Sequence, residues 1–252
     1  MKRLILLAAA ATLLTVACST KQEQPATDVA DDAISLKKNQ PGDSALYGLA
    51  CDGCTDSVIV LLPHDGSDPV TYDILKAMRN KRVIGRPKIG DHLAVLLSQE
   101  NPTEAVSVVD IDEMKGSWVY QVMPTLKKSF IENAGKRDAE TDSMIKKLMV
   151  PREYGFKLKR DKQVSNIGMT YRPTTSDDDN PVDYPPLTRY SEWHIFNGKL
   201  ILVRAKNRIG NSQQDQQPAI QDTAEIVFMM KDSLQLRFKD EVRNYYRKTE
   251  EK

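Results

Sequence analysis

Gly116-Ser-Trp-Val-Tyr-Gln-Val122 sets Trp118, Tyr120 and Val122 against Ser117, Val119 and Gln121. Side chains of a strand alternate between its two faces, so this spacing predicts a strand with one apolar face. Pro124 ends it, because proline has no N–H to donate to a ladder. The polar run Asp110-Ile-Asp-Glu-Met-Lys115 comes just before it and divides the chain into two regions of different scale.

Downstream, the spacing predicts seven more strands: 153–160, 163–171, 190–196, 199–206, 224–230, 234–239 and 242–247. Asn197-Gly198 is a strong hairpin dipeptide, and Lys231-Asp232 provides another tight connection. Between 127 and 149 the pattern turns helical, with Met144, Ile145, Leu148 and Met149 as its stripe and Pro151 as its stop. The stretches 174–186 (acidic, proline-rich) and 207–222 (polar, glutamine-rich) read as loops. Eight strands joined mostly as hairpins suit an up-and-down barrel, whose interior can be filled by side chains or hold one small ligand. Upstream, short strands are expected at 45–50, 57–62, 70–75, 82–84, 93–97 and 105–111, with one helical turn at 76–81. That density fits a small barrel of the OB type. The expected fold class is therefore all-β: an OB-like barrel over 44–113, then an eight-stranded barrel over 114–252 with one helical insertion.

The amino terminus carries an address. Lys2-Arg3 precede an apolar or small-residue run from Leu4 to Val16, too short to span a bilayer comfortably but suited to a secretory signal. Leu14-Thr-Val-Ala-Cys18 then resembles the lipobox of bacterial lipoproteins. The resemblance implies cleavage after residue 17, lipidation of Cys18 and, with Ser19 following, export to the outer membrane, on its periplasmic or surface face. Residues 19–43 lack aromatic residues and have too little apolar content to fold. They are expected to act as a tether with a reach of roughly 25–30 Å.

Composition narrows the class of function. The chain has 252 residues, 28% of them charged, and a net charge of +1 that becomes −1 once Lys2 and Arg3 leave with the leader. Such balance gives no electrostatic footprint for nucleic acid. The sequence has no Gly-x-Ser-x-Gly, His-Glu-x-x-His or phosphate-loop motif and only three histidines. The expectation is a protein that is not an enzyme and needs no cofactor; its protein partner is unknown.

The carboxy-terminal region resembles the lipocalin-like (calycin) barrels of bacterial lipoproteins. The resemblance rests on Gly116-Ser-Trp118, Tyr154-Gly-Phe156, Ser191-Glu-Trp193-His-Ile195 before Asn197-Gly198-Lys-Leu200, and the closing Tyr245-Tyr-Arg247. It implies that Trp118 plugs one end of the barrel beneath an arginine, Arg247 or failing that Arg243, in a cation–π contact. It also implies a small, largely apolar ligand, with Phe156, Trp193, Ile195, Leu200 and Leu202 as lining or plain core. Gly116, Trp118 and Arg247 are the barrel-closing residues. Tyr47-Gly-Leu-Ala-Cys51-Asp-Gly-Cys54 is similar to the Cys-x-x-Cys segment of NlpE-type envelope lipoproteins, which implies the alternative of a metal-responsive sensor or assembly protein acting through its surface.

Several side chains have competing readings. Cys51 and Cys54, in an oxidising compartment, are expected to form a structural disulfide. A metal site with His64 and His92, or redox work, are the alternatives. His194 alternates with Trp193 and is expected to face solvent. Ser143-Met-Ile-Lys146 matches Ser-x-x-Lys by chance. Asp177-Asp-Asp-Asn180 with Asp183 lacks the spacing of a calcium loop.

Overall fold

In the computed structural model, residues 40–133, 135, 138–168, 180–205 and 219–249 are described. The leader, Cys18 and the tether up to residue 39 lie outside them.

The first module comprises β1 (Leu46–Ala50), β2 (Val58–Pro63), β3 (Val70–Asp73), α1 (Leu75–Arg79), β4 (Val83–Ile84), β5 (His92–Leu97) and β6 (Ala105–Asp110). Its sheet order is β3-β2-β1-β5-β6-β4, antiparallel except for β4 against β6. A parallel bridge between Asp73 and Glu104 brings β3 back to the start of β6. A meander of three strands, a helix, the short β4 and two returning strands give the order of elements expected for a small barrel of the OB type. Leu61, Leu93, Val95 and Val108 fill its interior.

The second module begins after α2 (Ile111–Met114), which Asp110 caps by accepting the Glu113 N–H at 2.9 Å. It contains β7 (Gly116–Val122), β8 (Thr125–Leu126), α3 (Lys128–Glu132), α4 (Ala139–Leu148), β9 (Arg152–Leu158), β10 (Val164–Ile167), β11 (Val182–Asp183), β12 (Tyr190–Phe196), β13 (Lys199–Arg204), β14 (Gln221–Met230), β15 (Ser233–Arg237) and β16 (Val242–Arg247). Eight of these strands form one antiparallel sheet in the order β10-β9-β7-β16-β15-β14-β13-β12. The sheet curls into a nearly closed barrel. The last strand pairs with the first, Tyr246 with Val119 and Arg247 with Trp118. The two edges meet through a Gln163–Glu192 bridge and a Trp193 N–H to Lys162 carbonyl bond of 2.8 Å. Asn166 supplies a further rung with its side-chain amide, accepting from Tyr190 N and donating to Tyr190 O, both at 2.8 Å.

Two expectations are corrected. The 174–186 loop was expected to lack core residues, but Val182 is buried and pairs with Leu126 in a two-stranded sheet, β8 with β11. On α4, Ile145 alone is buried, while Met144 and Leu148 stay exposed. An apolar stripe read from spacing marks one side of a helix, and here the fold covers it at one residue.

The two modules share a core. Ile84, Ala94, Val109, Ile111 and Met114 from the first pack into the cluster that holds Trp118, Ile195, Met229 and Leu234 of the barrel. Polar contacts surround that seam. Arg82 pairs with Glu225 at 2.7 Å, and the Tyr47 hydroxyl lies between Asp43 Oδ2 (2.7 Å) and the Ile195 carbonyl (2.9 Å). Gly42 and Asp43, at the end of the expected tether, are bonded to Asn197 of the β12–β13 turn.

Candidate functional site

The end of the barrel nearer the first module is sealed. Trp118 is 0% exposed, and its indole N–H donates to the Met114 carbonyl at 2.8 Å. The Arg247 guanidinium lies 4.1 Å from the centre of the Trp118 ring. It donates to the carbonyls of Lys115 (2.7 Å), Glu113 (2.6 Å) and Lys231. Gly116 has φ +122, and a Cβ there would collide with Arg247 Nη1. Glycine thus admits the guanidinium that ties the last strand to α2. Gly155 does the same for strand approach, since a Cβ there would strike the Trp118 carbonyl and come within 2.8 Å of Val119 Cα.

Above this seal the barrel is filled with apolar side chains. Phe156, Trp193, Ile195, Leu200 and Leu202 are all buried in the shared core. Leu200 and Leu202 are 0% exposed, so no water-sized space touches them. Trp193 spends its indole N–H on the Lys159 carbonyl at 2.9 Å.

Near the opposite end the lining changes to tyrosine. Tyr120 lies edge-on to Tyr154 and Tyr245, with ring centres 6.5 and 5.3 Å away. Phe156 links Tyr245 (5.2 Å) to Tyr190 (6.3 Å). Arg243 enters this ring of aromatics, its guanidinium 4.5 Å from the Tyr120 centre and 5.7 Å from that of Phe238. Glu241, on the β15–β16 turn, takes it in a bidentate grip, Nε to Oε1 at 3.1 Å and Nη2 to Oε2 at 2.5 Å. A second fork joins β13 to β14. Arg204 donates to Asp222 at 2.9 and 2.8 Å, and the Tyr190 hydroxyl donates to the same carboxylate at 2.9 Å.

Electrostatics follow from this packing. Burial pushes Tyr245 up to about 12 although Arg243 opposes the shift. Burial likewise raises Tyr190, helped by Asp222, and Tyr120, against the pull of Arg243. Burial works against the Arg243 charge, but Glu241 and the neighbouring tyrosine hydroxyls outweigh it and hold the guanidinium firmly protonated. The arrangement offers phenol donors and a cation over apolar faces, which suits binding rather than proton transfer.

The other residues singled out by sequence are scattered. Cys51 and Cys54 are free thiols, which corrects the expected disulfide. The turn between them aims each sulfur at backbone: Cys51 Sγ at the Leu49 carbonyl, and Cys54 Sγ at the Val60 carbonyl and N–H, the latter 3.3 Å away. His64 and His92 lie together, ring centres 5.4 Å apart, and His92 Nδ1 is engaged by Asp112 Oδ2 at 2.9 Å. Among the described residues no group of three or more His, Cys, Asp or Glu is arranged to hold a metal ion. His194 is half-buried, and burial together with Lys162 lowers its pKa. Ser143 and Lys146 are exposed on α4. Asp177–Asp179 lie outside the described residues, and Asp183 is in β11.

Sequence reasoning missed Tyr120, Tyr190, Arg204, Asp222 and Glu241 as site residues. Alternation from Trp118 already put Tyr120 on the inner face. Nothing in the sequence shows that four tyrosines from four strands reach one end of the barrel. No protein-family model, curated protein or solved structure matches the chain.

Proposed function

We propose that the protein is a cell-envelope lipoprotein, held at the outer membrane by lipid on Cys18, whose barrel binds a small, largely apolar ligand without catalysing a reaction. The address rests on the Lys2-to-Cys18 pattern, and the likeness to lipocalin-like barrels belongs to the same proposal. One observation carries the ligand reading. Inside an otherwise apolar barrel, four tyrosines and a half-buried arginine gather at the end away from the first module. Phenols and a guanidinium beside apolar rings offer a ligand with an apolar body a place for its polar end. The ligand enters from that end only as far as Phe156, because the section below is filled. Native mass spectrometry of the purified protein tests this: an associated small molecule at 1:1 stoichiometry, weakened by Tyr120→Ala, is expected. Absence of any bound species, with no uptake of added alkyl probes, would sink the reading.

A second reading, an envelope sensor or assembly protein acting through its surface, is favoured by a different observation. Met123, Ile131, Met144 and Val150 are exposed around the helical excursion, where apolar side chains invite a partner. Its metal-responsive form assigns sensing to Cys51 and Cys54. Cross-linking that captures a partner through α3 or α4, with no small molecule bound, would select it.

A further inference from the structure

Arg243 and Glu241 bear on what kind of ligand the upper end accepts, and the inference rests on the ligand-binding reading above. The guanidinium is set among Tyr120, Phe238 and Tyr245 with 28% of its side chain exposed, while Glu241 is 55% exposed on a two-strand turn. The two sides of this ion pair are therefore unequal. Arg243 is fixed by rings on either side. Glu241 projects into solvent, where an ion pair contributes little and a carboxylate is readily rehydrated. An arginine left without a counter-charge among aromatic rings is costly, so the position requires an anion, though not necessarily this one.

We infer that Glu241 is a built-in substitute for the head group of the ligand, and that the barrel takes single-headed anionic amphiphiles, an aliphatic or aromatic body ending in a carboxylate. The incoming carboxylate forms the same two-bond fork with Arg243, and Glu241 swings out into water. The geometry favours a flat, bidentate acceptor, because that is what Glu241 presents to Nε and Nη2. The body of the amphiphile lies against the partly buried Tyr120 and Phe238 and gains what Glu241 cannot offer, apolar area removed from water. On β13, Arg204 already holds Asp222 in a fork that Tyr190 reinforces. That carboxylate has three bonds to lose, so the exchange takes place at Arg243.

Titration calorimetry with two probes of equal chain length tests this: dodecanoate and the uncharged 1-dodecanol, both below their aggregation limits. Dodecanoate is expected to bind about tenfold or more tightly, the weight of a charge-assisted pair. Arg243→Gln should remove that preference. Glu241→Gln should strengthen dodecanoate binding several-fold, since the competitor is gone, and it alters only an exposed turn residue if Arg243→Gln folds poorly. Equal affinities for the two probes, or a Glu241→Gln variant that binds dodecanoate no better, overturns the inference and leaves ligand binding intact. If neither probe binds the unaltered protein, the ligand-binding reading itself falls, and this inference with it.

Discussion

Replacing Asp110 by asparagine is expected to stabilise the protein, and more so as pH rises. Asp110 is 0% exposed at the corner where β6 becomes α2; one carboxylate oxygen accepts the Glu113 N–H and the other has no partner. Burial, against the pull of the Glu113 N–H and with help from Asp91, Glu113 and Asp112, raises its pKa to about 7. An unfolded aspartate titrates near 3.9. Between those values the folded state holds a proton that the unfolded state has released, so stability falls as pH rises through this window. The full effect is about 4 kcal/mol, of which about 2.3 kcal/mol is lost between pH 5 and pH 7 and about 2.7 kcal/mol by pH 8.5. The substituted asparagine keeps the oxygen that caps α2 and carries no charge. Urea unfolding from pH 5 to 8.5 should therefore show the variant's advantage growing by about 2–3 kcal/mol over that range. Comparing variant with parent cancels the opposite slope from His194, whose lowered pKa makes stability rise with pH. Parallel profiles for the two proteins would refute the reasoning, because Asp110 would then be ionised at little cost or hydrated.

Three further outcomes are expected. Arg247→Met removes three donors to carbonyls and the contact over Trp118 and should lower stability by about 2–4 kcal/mol in urea unfolding, with a smaller loss for Arg247→Lys. Gly155→Ala should prevent barrel assembly, seen as loss of near-ultraviolet circular dichroism, because its Cβ would meet strand backbone rather than a movable side chain. Iodoacetamide added without reductant to the denatured protein should label both Cys51 and Cys54; a mass two units low and no labelling would show them bonded to each other.

What could be read in advance followed local periodicity. Trp118, Tyr120 and Val122 fall inward because a strand alternates, and Asn197-Gly198 places a hairpin where β12 meets β13. The α4 stripe misled because periodicity shows that a helix has an apolar side but not that anything covers it; only Ile145 found a partner. The Cys51–Cys54 pairing depended on compartment chemistry, whereas in the fold the orientation of each sulfur is set by β1 and β2 backbone. The shared core depended on contacts between positions far apart, such as Tyr47 with Ile195, and no local pattern carries those. The aromatic end has the same origin. Tyr120, Tyr154, Tyr190 and Tyr245 each look like ordinary strand residues until the register of four strands brings them to one level.

The architecture makes the two ends of the barrel inequivalent, and that bears on where a ligand is accepted. At the lower end, β6 passes through the single turn of α2 into β7, so the first module is held against the opening and not suspended from a linker. Met114 and Met229 fill the seam, and Trp118 and Arg247 use their hydrogen-bonding groups on backbone carbonyls there. The Trp118 indole N–H and the Arg247 guanidinium are thus committed to internal partners. At the upper end, charge is balanced by carboxylates from a turn and a strand start, and the phenols lie at the surface of the apolar fill. A side-chain pair of that kind can exchange partners without unfolding any strand, whereas exchange at Arg247 would break the seam between modules. If the barrel binds a ligand as proposed, selective recognition falls to Arg243, the arginine whose partner can leave at least cost.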